Sequence, residues 1–213
     1  LVPNRGRTSM YQKIRNKDAW TVTHDAFRDF ARLVYNNRYL KKVAKTFFAP
    51  LSRSQQRRLY DVFKDSKHVG YAVFEFRFEH EVVTKVHGGR FSSVYKNNEK
   101  RRPIIVAPLG NMLLQRTVSS PLREILRTLG NDLEIGQDVH KKRISDPGVA
   151  TVDFSNASDS NLLKVVVDQF PSQVSRLLRR YRDPMVLVGE DYVIPHKLSS
   201  MGCGFTFEVM TLL

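Results

Sequence analysis

The sequence has only one cysteine, Cys203, among its 213 residues. A single thiol excludes an intrachain disulfide framework and a zinc site built on several thiolates, and it is typical of a protein in a reducing compartment. No apolar run approaches the roughly 20 residues of a membrane span, and no signal-peptide pattern stands at the start. Internal repeats and low-complexity tracts are also absent. We therefore expect a globular protein without a membrane partner.

Acidic residues are few relative to basic ones. Asp and Glu number 21 against 35 Lys and Arg, which gives a net charge of +14 and a pI of about 10.1. Such a surplus favours a polyanionic partner, nucleic acid first, although a solvated basic surface has the same composition. The hydrophobic content of 41% is sufficient for a core. Because the chain opens on Leu1 and stops in an apolar run at Leu213, we expect a fragment of a longer protein.

The first half of the chain reads as basic and mainly helical. Thr23 is a predicted cap for a helix whose apolar face runs from Ala26 to Val34, and we expect this helix to continue through 39–42. Ser52 and Gln55 have capping-box spacing before a second helix, with Leu59, Val62 and Phe63 as its apolar face. In contrast, Phe74, Phe76 and Phe78 alternate with charged residues, and this period of two predicts a strand that ends at Gly88-Gly89.

The second half alternates short apolar segments with basic ones. We expect a basic loop at 92–102, a buried strand at 103–108, a helix from Ser120-Pro121 to Gly130, a basic loop at 131–148, a strand at 149–154, a helix at 162–170, a hairpin of 185–188 with 192–194 around 189–191, and a turn at 199–204 that opens a helix near Phe205. The fold class is therefore α+β.

Asp153 lies at the end of the predicted strand at 149–154. A carboxylate at the end of a buried strand is costly unless a cation or a substrate compensates its charge, so Asp153 is a candidate Mg2+ ligand. Two-metal nucleotidyl transfer places carboxylates in this way. Asp153 could equally cap the helix that follows, because Asp-x-Ser turns often do so.

Two further segments carry candidate binding residues. Lysines and arginines before a buried strand can hold a triphosphate or an RNA backbone, or can simply be solvated. The predicted members of this basic set are Lys96, Lys100, Arg101 and Arg102, with Lys141, Lys142 and Arg143 as further RNA contacts. In the turn at 199–204, Gly202 and Gly204 permit close approach of backbone to a ligand, and Ser200 and Thr206 offer hydroxyls. A plain turn into a helix explains this segment equally well.

The order of these motifs resembles a known family. Residues 151–160 (TVDFSNASDS) are similar to motif A, residues 197–208 (KLSSMGCGFTFE) to motif B, and residues 94–112 to a fingers motif of the RNA-directed RNA polymerases of single-stranded RNA bacteriophages, the levivirus group that includes phage Qβ. The resemblance covers residues 90 to 213, and the motif B sequence is its most specific part.

The resemblance implies a right-hand polymerase fold. Residues 1–110 would be fingers-like and residues 111–213 a partial palm, with motif A at 149–160, motif B at 197–208 and a finger insertion at about 171–196. The chain would stop before the Gly-Asp-Asp motif and the thumb, so we expect it to be inactive by itself. A reverse transcriptase and a non-catalytic RNA-binding module are the alternatives; the small residues at 155–158 favour ribonucleotides over the first.

The resemblance also implies roles for single residues. Asp153 and the Phe154 main-chain carbonyl would bind two Mg2+ ions, or Mn2+ in their place. Lys96 and Arg102 would contact the triphosphate. The residues that would line the ribose side of the nucleotide are Asp159, Ser200, Gly202 and Thr206.

The implied partners are RNA template and product, ribonucleoside triphosphates, and the host elongation factors Tu and Ts, in the cytoplasm of a bacterial host. Two substitutions depart from the family pattern: Tyr95 stands at a usual proline and Cys203 at a usual asparagine.

Overall fold

The structure, a computed structural model, describes residues 8–95, 100–131, 136–144, 146–150 and 161–213. The chain forms two compact units, the first made of residues 1–88 and 108–114 and the second of residues 89–107 and 115–213. Helices and strands occur together, which confirms the α+β class. Within the described ranges, no helix combines the length and apolarity needed to cross a membrane.

The first unit is mainly helical. Its elements are α1 (Thr8–Arg15), β1 (Thr21–Thr23), α2 (Phe27–Asn36), α3 (Arg38–Lys45), α4 (Arg53–Val62), α5 (Val69–Glu81) and β2 (Thr84–Val86). Strands β1 and β2 pair in parallel, with Val22 opposite Lys85. Apart from this small sheet, the described part of residues 8–88 is thus mainly helical, as the sequence predicts for that segment.

Aromatic rings form the core of the first unit. Phe78 is fully buried and lies 5.6 Å from Trp20, 5.5 Å from Phe30 and 5.3 Å from Phe74, measured between ring centroids. The Trp20 indole donates a hydrogen bond to the carbonyl of Ile14 at 2.8 Å, so its one polar atom is satisfied in the core.

The strand prediction for residues 74–78 is wrong, because this segment is helix α5. Phe74 and Phe78 are four residues apart and therefore share the buried helix face, whereas Phe76 is 41% exposed. Aromatic rings at every second position over five residues fit a strand. They fit equally well a helix that buries Phe74 and Phe78, four residues apart, and leaves Phe76 in solvent.

The helix after Thr23 begins as predicted, with Phe27, Phe30 and Val34 buried, but it does not continue through residues 39–42. Asn37 ends α2 and caps α3, where its side chain accepts a hydrogen bond from the Leu40 N–H. The side chain of Thr23 makes no cap hydrogen bond.

Instead, Thr23 pairs with a residue far along the chain. The Asn111 side chain accepts a hydrogen bond from the Thr23 N–H and donates one to the Thr23 hydroxyl, both at 2.9 Å, in a buried setting.

The capping box at Ser52 and Gln55 is confirmed, with both reciprocal hydrogen bonds present. The apolar face predicted for this helix is not buried, however. Helix α4 contains no buried residue, and Val62 is 73% exposed. A local capping signal thus defines the start of the helix, while the tertiary structure leaves the helix largely in solvent.

The second unit contains a four-stranded sheet in the order β4-β3-β5-β6. Its elements are β3 (Gly89–Tyr95), β4 (Arg101–Val106), α7 (Gly136–Arg143), α8 (Leu163–Gln169), α9 (Ser172–Tyr181), β5 (Val186–Val188), β6 (Asp191–Val193) and α10 (Thr206–Leu212). Helix α6 (Leu109–Thr128) starts in the first unit and contributes its residues from 115 onward to the second.

Much of the predicted basic loop at 92–102 belongs to antiparallel strands β3 and β4, with Ser92 opposite Ile104 and Tyr95 opposite Arg101. Arg101 donates a hydrogen bond to the Tyr95 hydroxyl at 2.6 Å, and its guanidinium lies 4.5 Å from the centre of that ring. The segment is polar and exposed, which is typical of a loop, so the sequence predicts one. Pairing between the two strands makes it part of a sheet instead. Strand β4 is half-buried rather than buried.

Two other boundaries are also corrected. The helix predicted from Ser120 begins at Leu109, and Pro121 lies inside it. Val118, Leu122 and Leu126 are buried at intervals of four residues. This apolar helix face continues past Pro121, so the proline does not mark the start of the helix. Gly130, with φ +79°, follows this helix as expected. Part of the predicted basic loop at 131–148 is helix α7.

Three of the remaining predicted elements are confirmed, and the fourth lies mostly outside the described residues. The helix at 162–170 and the hairpin of β5 with β6 are confirmed, with Val188 opposite Asp191. The turn at 199–204 into a helix is also confirmed. The strand predicted at 149–154 falls mostly outside the described residues.

The helical register of α5 is tested by Phe78→Ala. We expect it to lower the free energy of unfolding by about 3–5 kcal/mol, because it empties the centre of the aromatic core. Phe76→Ala, the matched control, should cost less than about 1 kcal/mol, since its ring is half exposed. Denaturant unfolding of both variants measures the difference; equal losses would contradict the helix and support a strand.

Candidate functional site

The turn at 199–204 lies against strand β4. The Met201 carbonyl accepts a hydrogen bond from the Ile105 N–H at 3.1 Å, and Gly202 follows with φ +109°. A Cβ atom at position 202 would lie 2.7 Å from the Ile105 carbonyl oxygen. Both the backbone angle and this contact require glycine, so backbone rather than side chains joins the turn to the sheet.

Hydrogen bonds within the turn set its shape. The Ser200 carbonyl accepts bonds from the Cys203 N–H and the Thr206 hydroxyl, each at 3.1 Å. Ser200 and Thr206 are both buried. The predicted hydroxyl of Thr206 therefore closes the turn onto the start of helix α10.

Helix α6 supports the turn from the other side through a fully buried amide. The Gln115 side-chain oxygen accepts a hydrogen bond from the Gly204 N–H at 2.8 Å, and its amide donates one to the Tyr181 carbonyl at 2.8 Å. Because Gln115 has no exposed surface, each polar atom that it satisfies would otherwise be left without a partner in the interior.

An ion pair joins α10 to α6. The Glu208 carboxylate accepts hydrogen bonds from two nitrogens of Arg123, at 2.6 and 3.1 Å. The Glu208 side chain is 3% exposed and that of Arg123 is 34% exposed. The last residue of the predicted motif B thus orients the helix that follows the turn.

The segment that enters the turn pairs with residues that directly follow the predicted motif A in the sequence. The Leu163 N–H donates to the His196 carbonyl at 2.9 Å, and the Leu198 N–H donates to the Asn161 carbonyl at 3.0 Å. This short antiparallel bridge brings the sequence after residue 160 next to the sequence before the turn.

Arg182 and Asp183, neighbours in the sequence, are both buried beneath this segment. Arg182 donates hydrogen bonds to the carbonyls of Lys197 at 2.8 Å and Pro195 at 3.2 Å. Burial lowers the pKa of its guanidinium, and the neighbouring Asp183 opposes that effect. Arg182 therefore holds the backbone that leads into the turn.

Asp183 lines a small cleft beside the turn. The cleft has a volume of about 10 Å3, room for about one water molecule, and Lys197, Ser199, Ser200 and Cys203 also line it. One oxygen of the Asp183 carboxyl is buried and has no hydrogen-bond partner among the described residues. Burial raises the pKa of this carboxyl to about 7, and Arg182 opposes the shift.

Cys203, which stands at a usual asparagine, is half-buried and lines the cleft. Burial raises the pKa of its thiol to about 12, because the thiolate would lose its hydration. The thiol is therefore protonated at neutral pH and packs as a small apolar group.

The predicted basic residues that the structure describes lie on or directly before β4 and on α7. Arg102 is exposed on β4, three residues before Ile105, which is about 10 Å along a strand. Arg101 is held against Tyr95, and Lys100 directly precedes the strand. The exposed residues of the last turn of α7 include Lys141, Lys142 and Arg143.

The predicted metal ligands, Asp153 and the Phe154 main-chain carbonyl, lie outside the described residues. The predicted nucleotide contacts Asp159 and Lys96 also lie outside them. Among the residues that the structure does describe, no group of three or more His, Cys, Asp or Glu side chains could hold a metal ion. The magnesium site therefore stays a prediction from the sequence.

Sequence reasoning missed the polar residues beneath the turn, namely Gln115, Arg123, Arg182 and Asp183. A charged pair such as Arg182-Asp183, next to a proline, reads as an exposed turn. In the sequence, Glu208 stands out only as the last residue of the motif at 197–208, and no local signal indicates its partner Arg123. The positions of these residues beneath the turn follow only from the packing of the whole chain.

Comparison with known proteins identifies the class. Residues 41–213 match the family described as "RNA replicase, beta-chain". The chain therefore belongs to this family of phage RNA replicase subunits, which agrees with the resemblance seen in its motifs.

The individual relatives support the same family assignment. The chain is 34% identical over 132 residues to the RNA-directed RNA polymerase beta chain of Enterobacteria phage GA, covering 61% of this chain and 25% of the relative. It is 32% identical over 143 residues to that of Escherichia phage MS2, covering 66% and 25%. It is 35% identical over 126 residues to the beta subunit of Escherichia virus Qbeta, covering 57% and 21%. The match thus spans about a quarter of the length of these relatives.

The contact between the turn and the sheet is tested by Gly202→Ala. We expect a loss of at least about 2 kcal/mol in the free energy of unfolding, from the strained φ and the clash with the Ile105 carbonyl. Gly136→Ala is the control: a Cβ there meets nothing within 4 Å, and alanine favours the helix. Thermal and denaturant unfolding measure both; a neutral Gly202→Ala variant would contradict the contact.

The raised pKa of the Asp183 carboxyl predicts that the free energy of unfolding depends on pH. Its folded pKa of about 7 lies above its ordinary value of 3.8, so the folded state favours the protonated form. The stability contributed by this group is complete below about pH 4 and is lost as the pH rises to about 7, by up to about 4 kcal/mol.

Asp183→Asn should therefore flatten the stability curve between pH 4 and 7 and make the variant more stable than the parent at pH 8. The exposed Asp191→Asn should leave the slope unchanged. Chemical unfolding at several pH values provides the measurement, and an unaltered slope in Asp183→Asn would refute the assignment.

Proposed function

We propose that this chain takes part in RNA-templated RNA synthesis, the replication of a phage genome, as part of a right-hand polymerase. The match of residues 41–213 to the RNA replicase beta-chain family carries this proposal. The relatives are named RNA-directed RNA polymerases, which favours that activity over reverse transcription or RNA binding alone. In this assignment residues 1–110 are fingers-like and residues 111–213 form part of the palm, with an insertion at about 171–196.

The structural support comes from the turn at 199–204. Gly202 brings backbone against β4, and Gln115 and Thr206 hold the turn in one conformation. A site that selects a nucleotide needs groups whose positions are set before the substrate arrives. We assign Ser200, Gly202 and Thr206 to the ribose side of an incoming ribonucleoside triphosphate on this basis.

Arg102 supplies the positive charge in this arrangement. It is exposed on β4, the strand against which the turn lies, and guanidinium groups suit phosphate oxygens. Arg101, held by Tyr95, and Lys100 extend the basic edge toward an RNA backbone. Lys96 completes the triphosphate contacts in this proposal.

Asp153 and the Phe154 main-chain carbonyl are the residues that we propose to hold Mg2+. Two ions bound there would supply Lewis-acid charge to the attacking 3′ hydroxyl and to the leaving pyrophosphate. Asp159 would contact the ribose. RNA template, RNA product and ribonucleoside triphosphates are then the partners, in the cytoplasm of a bacterial host; Tu and Ts stay predictions from the resemblance.

Asp153→Asn tests the metal role in an RNA-synthesising replicase that contains these 213 residues. Template-directed incorporation of labelled ribonucleotides should fall about a thousandfold, because the amide is a poor Mg2+ ligand. RNA affinity, measured by filter binding, should stay within about twofold, since the carboxylate is not an RNA contact. The exposed Asp168→Asn is the control. A variant that keeps most of its activity would remove Asp153 from the metal site.

A further inference from the structure

Positive charge is concentrated in one segment that none of the predicted sites uses. Residues 38–68 hold nine lysines and arginines against two aspartates, a surplus of +7 and half of the +14 of the whole chain. The segment contains α3 and α4 in the first unit. It is separate in sequence from the basic residues at 96–102 and 141–143.

Helix α4, which contains no buried residue, forms one wall of a groove. The groove has a volume of about 510 Å3 and is lined by residues of α2, α3, α4 and α5 and of the loop between α3 and α4, including Lys45, Phe48, Leu59 and Tyr60. This volume is within the range of roughly 300–1,000 Å3 of sites that take small organic ligands. A nucleobase would fit within it.

The charged residues that line the groove are all basic, namely Lys41, Lys45 and Arg77. None of the described residues that line it is Asp or Glu. Arg77 is neutralised by Glu81, at 2.6 and 2.8 Å, and this hydrogen bond lowers the pKa of the Glu81 carboxyl. Lys41 lies 3.4 Å above the Tyr35 ring. Lys45 is exposed at the end of α3.

Two arginines of α4 face the same way as its groove residues. Arg53, Gln56, Arg57 and Tyr60 follow the spacing i, i+3, i+4, i+7 and therefore share one helix face, and both Gln56 and Tyr60 line the groove. Arg53 and Arg57 are exposed, and neither forms an ion pair with another described residue. Neither arginine lines the groove itself, but their helix spacing places both cations on the face that carries Gln56 and Tyr60.

An aromatic ring accompanies these cations. Tyr60 is 52% exposed while still lining the groove, so part of its ring is accessible from solvent. Proteins that bind single-stranded nucleic acid combine cations that follow the phosphates with aromatic rings on which bases stack. An acidic protein partner would use the cations without needing the ring.

We propose that the groove between α3, α4 and α5 binds single-stranded RNA, with phosphates at Arg53 and Arg57 and a base against Tyr60. This surface is additional to the residues that we assign to nucleotide handling, and the inference goes beyond the proposed function. It contacts RNA through charge and stacking and therefore needs no particular sequence.

The test measures the affinity of the full 213-residue chain for a fluorescent single-stranded RNA of about 20 nucleotides by anisotropy, at several salt concentrations. Arg53→Gln with Arg57→Gln should weaken binding at least about tenfold at 0.1 M salt and reduce the slope of log K against log salt by about 1.4. Both changes remove positive charge from the first turns of a helix, which favours the helix, so unfolding does not explain a loss.

The matched control is Arg176→Gln with Arg179→Gln on α9, which removes the same charge from another exposed helix. It should change affinity less than about threefold. Equal weakening by the two pairs, or unchanged affinity in the Arg53 and Arg57 variant, would overturn the proposal. Neither result depends on Asp153 or on RNA synthesis, so this failure is distinct from a failure of the proposed function.

Tyr60→Leu separates single-stranded RNA from other polyanions. It keeps an apolar helix residue but removes the stacking surface, and it should weaken single-stranded binding about tenfold while leaving a duplex of equal length nearly unaffected. Unchanged affinity for the single strand would overturn the proposal and indicate a charged surface of the kind that docks an acidic protein.

Discussion

The close approach of Gly202 to the Ile105 carbonyl is the contact on which the rest of the candidate site depends. Its backbone angle and its lack of a Cβ allow the turn to lie directly on strand β4. Thr206 then closes the turn onto α10, and Gln115 holds it from α6. A backbone contact of this kind has little freedom to shift, because moving it would break several buried hydrogen bonds at once.

Polar groups beneath the turn make this arrangement specific. Arg182 and Gln115 satisfy backbone carbonyls that a purely apolar interior would leave without partners. Asp183 differs, because one of its oxygens is buried without a partner among the described residues. Its carboxyl therefore resists ionisation, and the cleft beside Ser200 has room for the water molecule that could satisfy it.

The errors in the predicted elements have a common origin. Phe74, Phe76 and Phe78 have the period of a strand, yet they lie on a helix because Phe74 and Phe78 meet the aromatic core at a spacing of four residues. Pro121 suggested a helix start, but the apolar row through Val118 carries the helix past it. In both cases burial against distant residues outweighs a short local pattern.

The sequence by itself determined what local chemistry can encode: the basic surplus, the capping box at Ser52 and the motifs that place the chain in the RNA replicase beta-chain family. Tertiary structure decided which of those residues are buried and what they contact. The side of α5 that is buried, the ion pair of Glu208 with Arg123 and the exposure of α4 all depend on residues far apart in the chain. Contacts over such separations follow from packing of the whole chain, which no local spacing specifies.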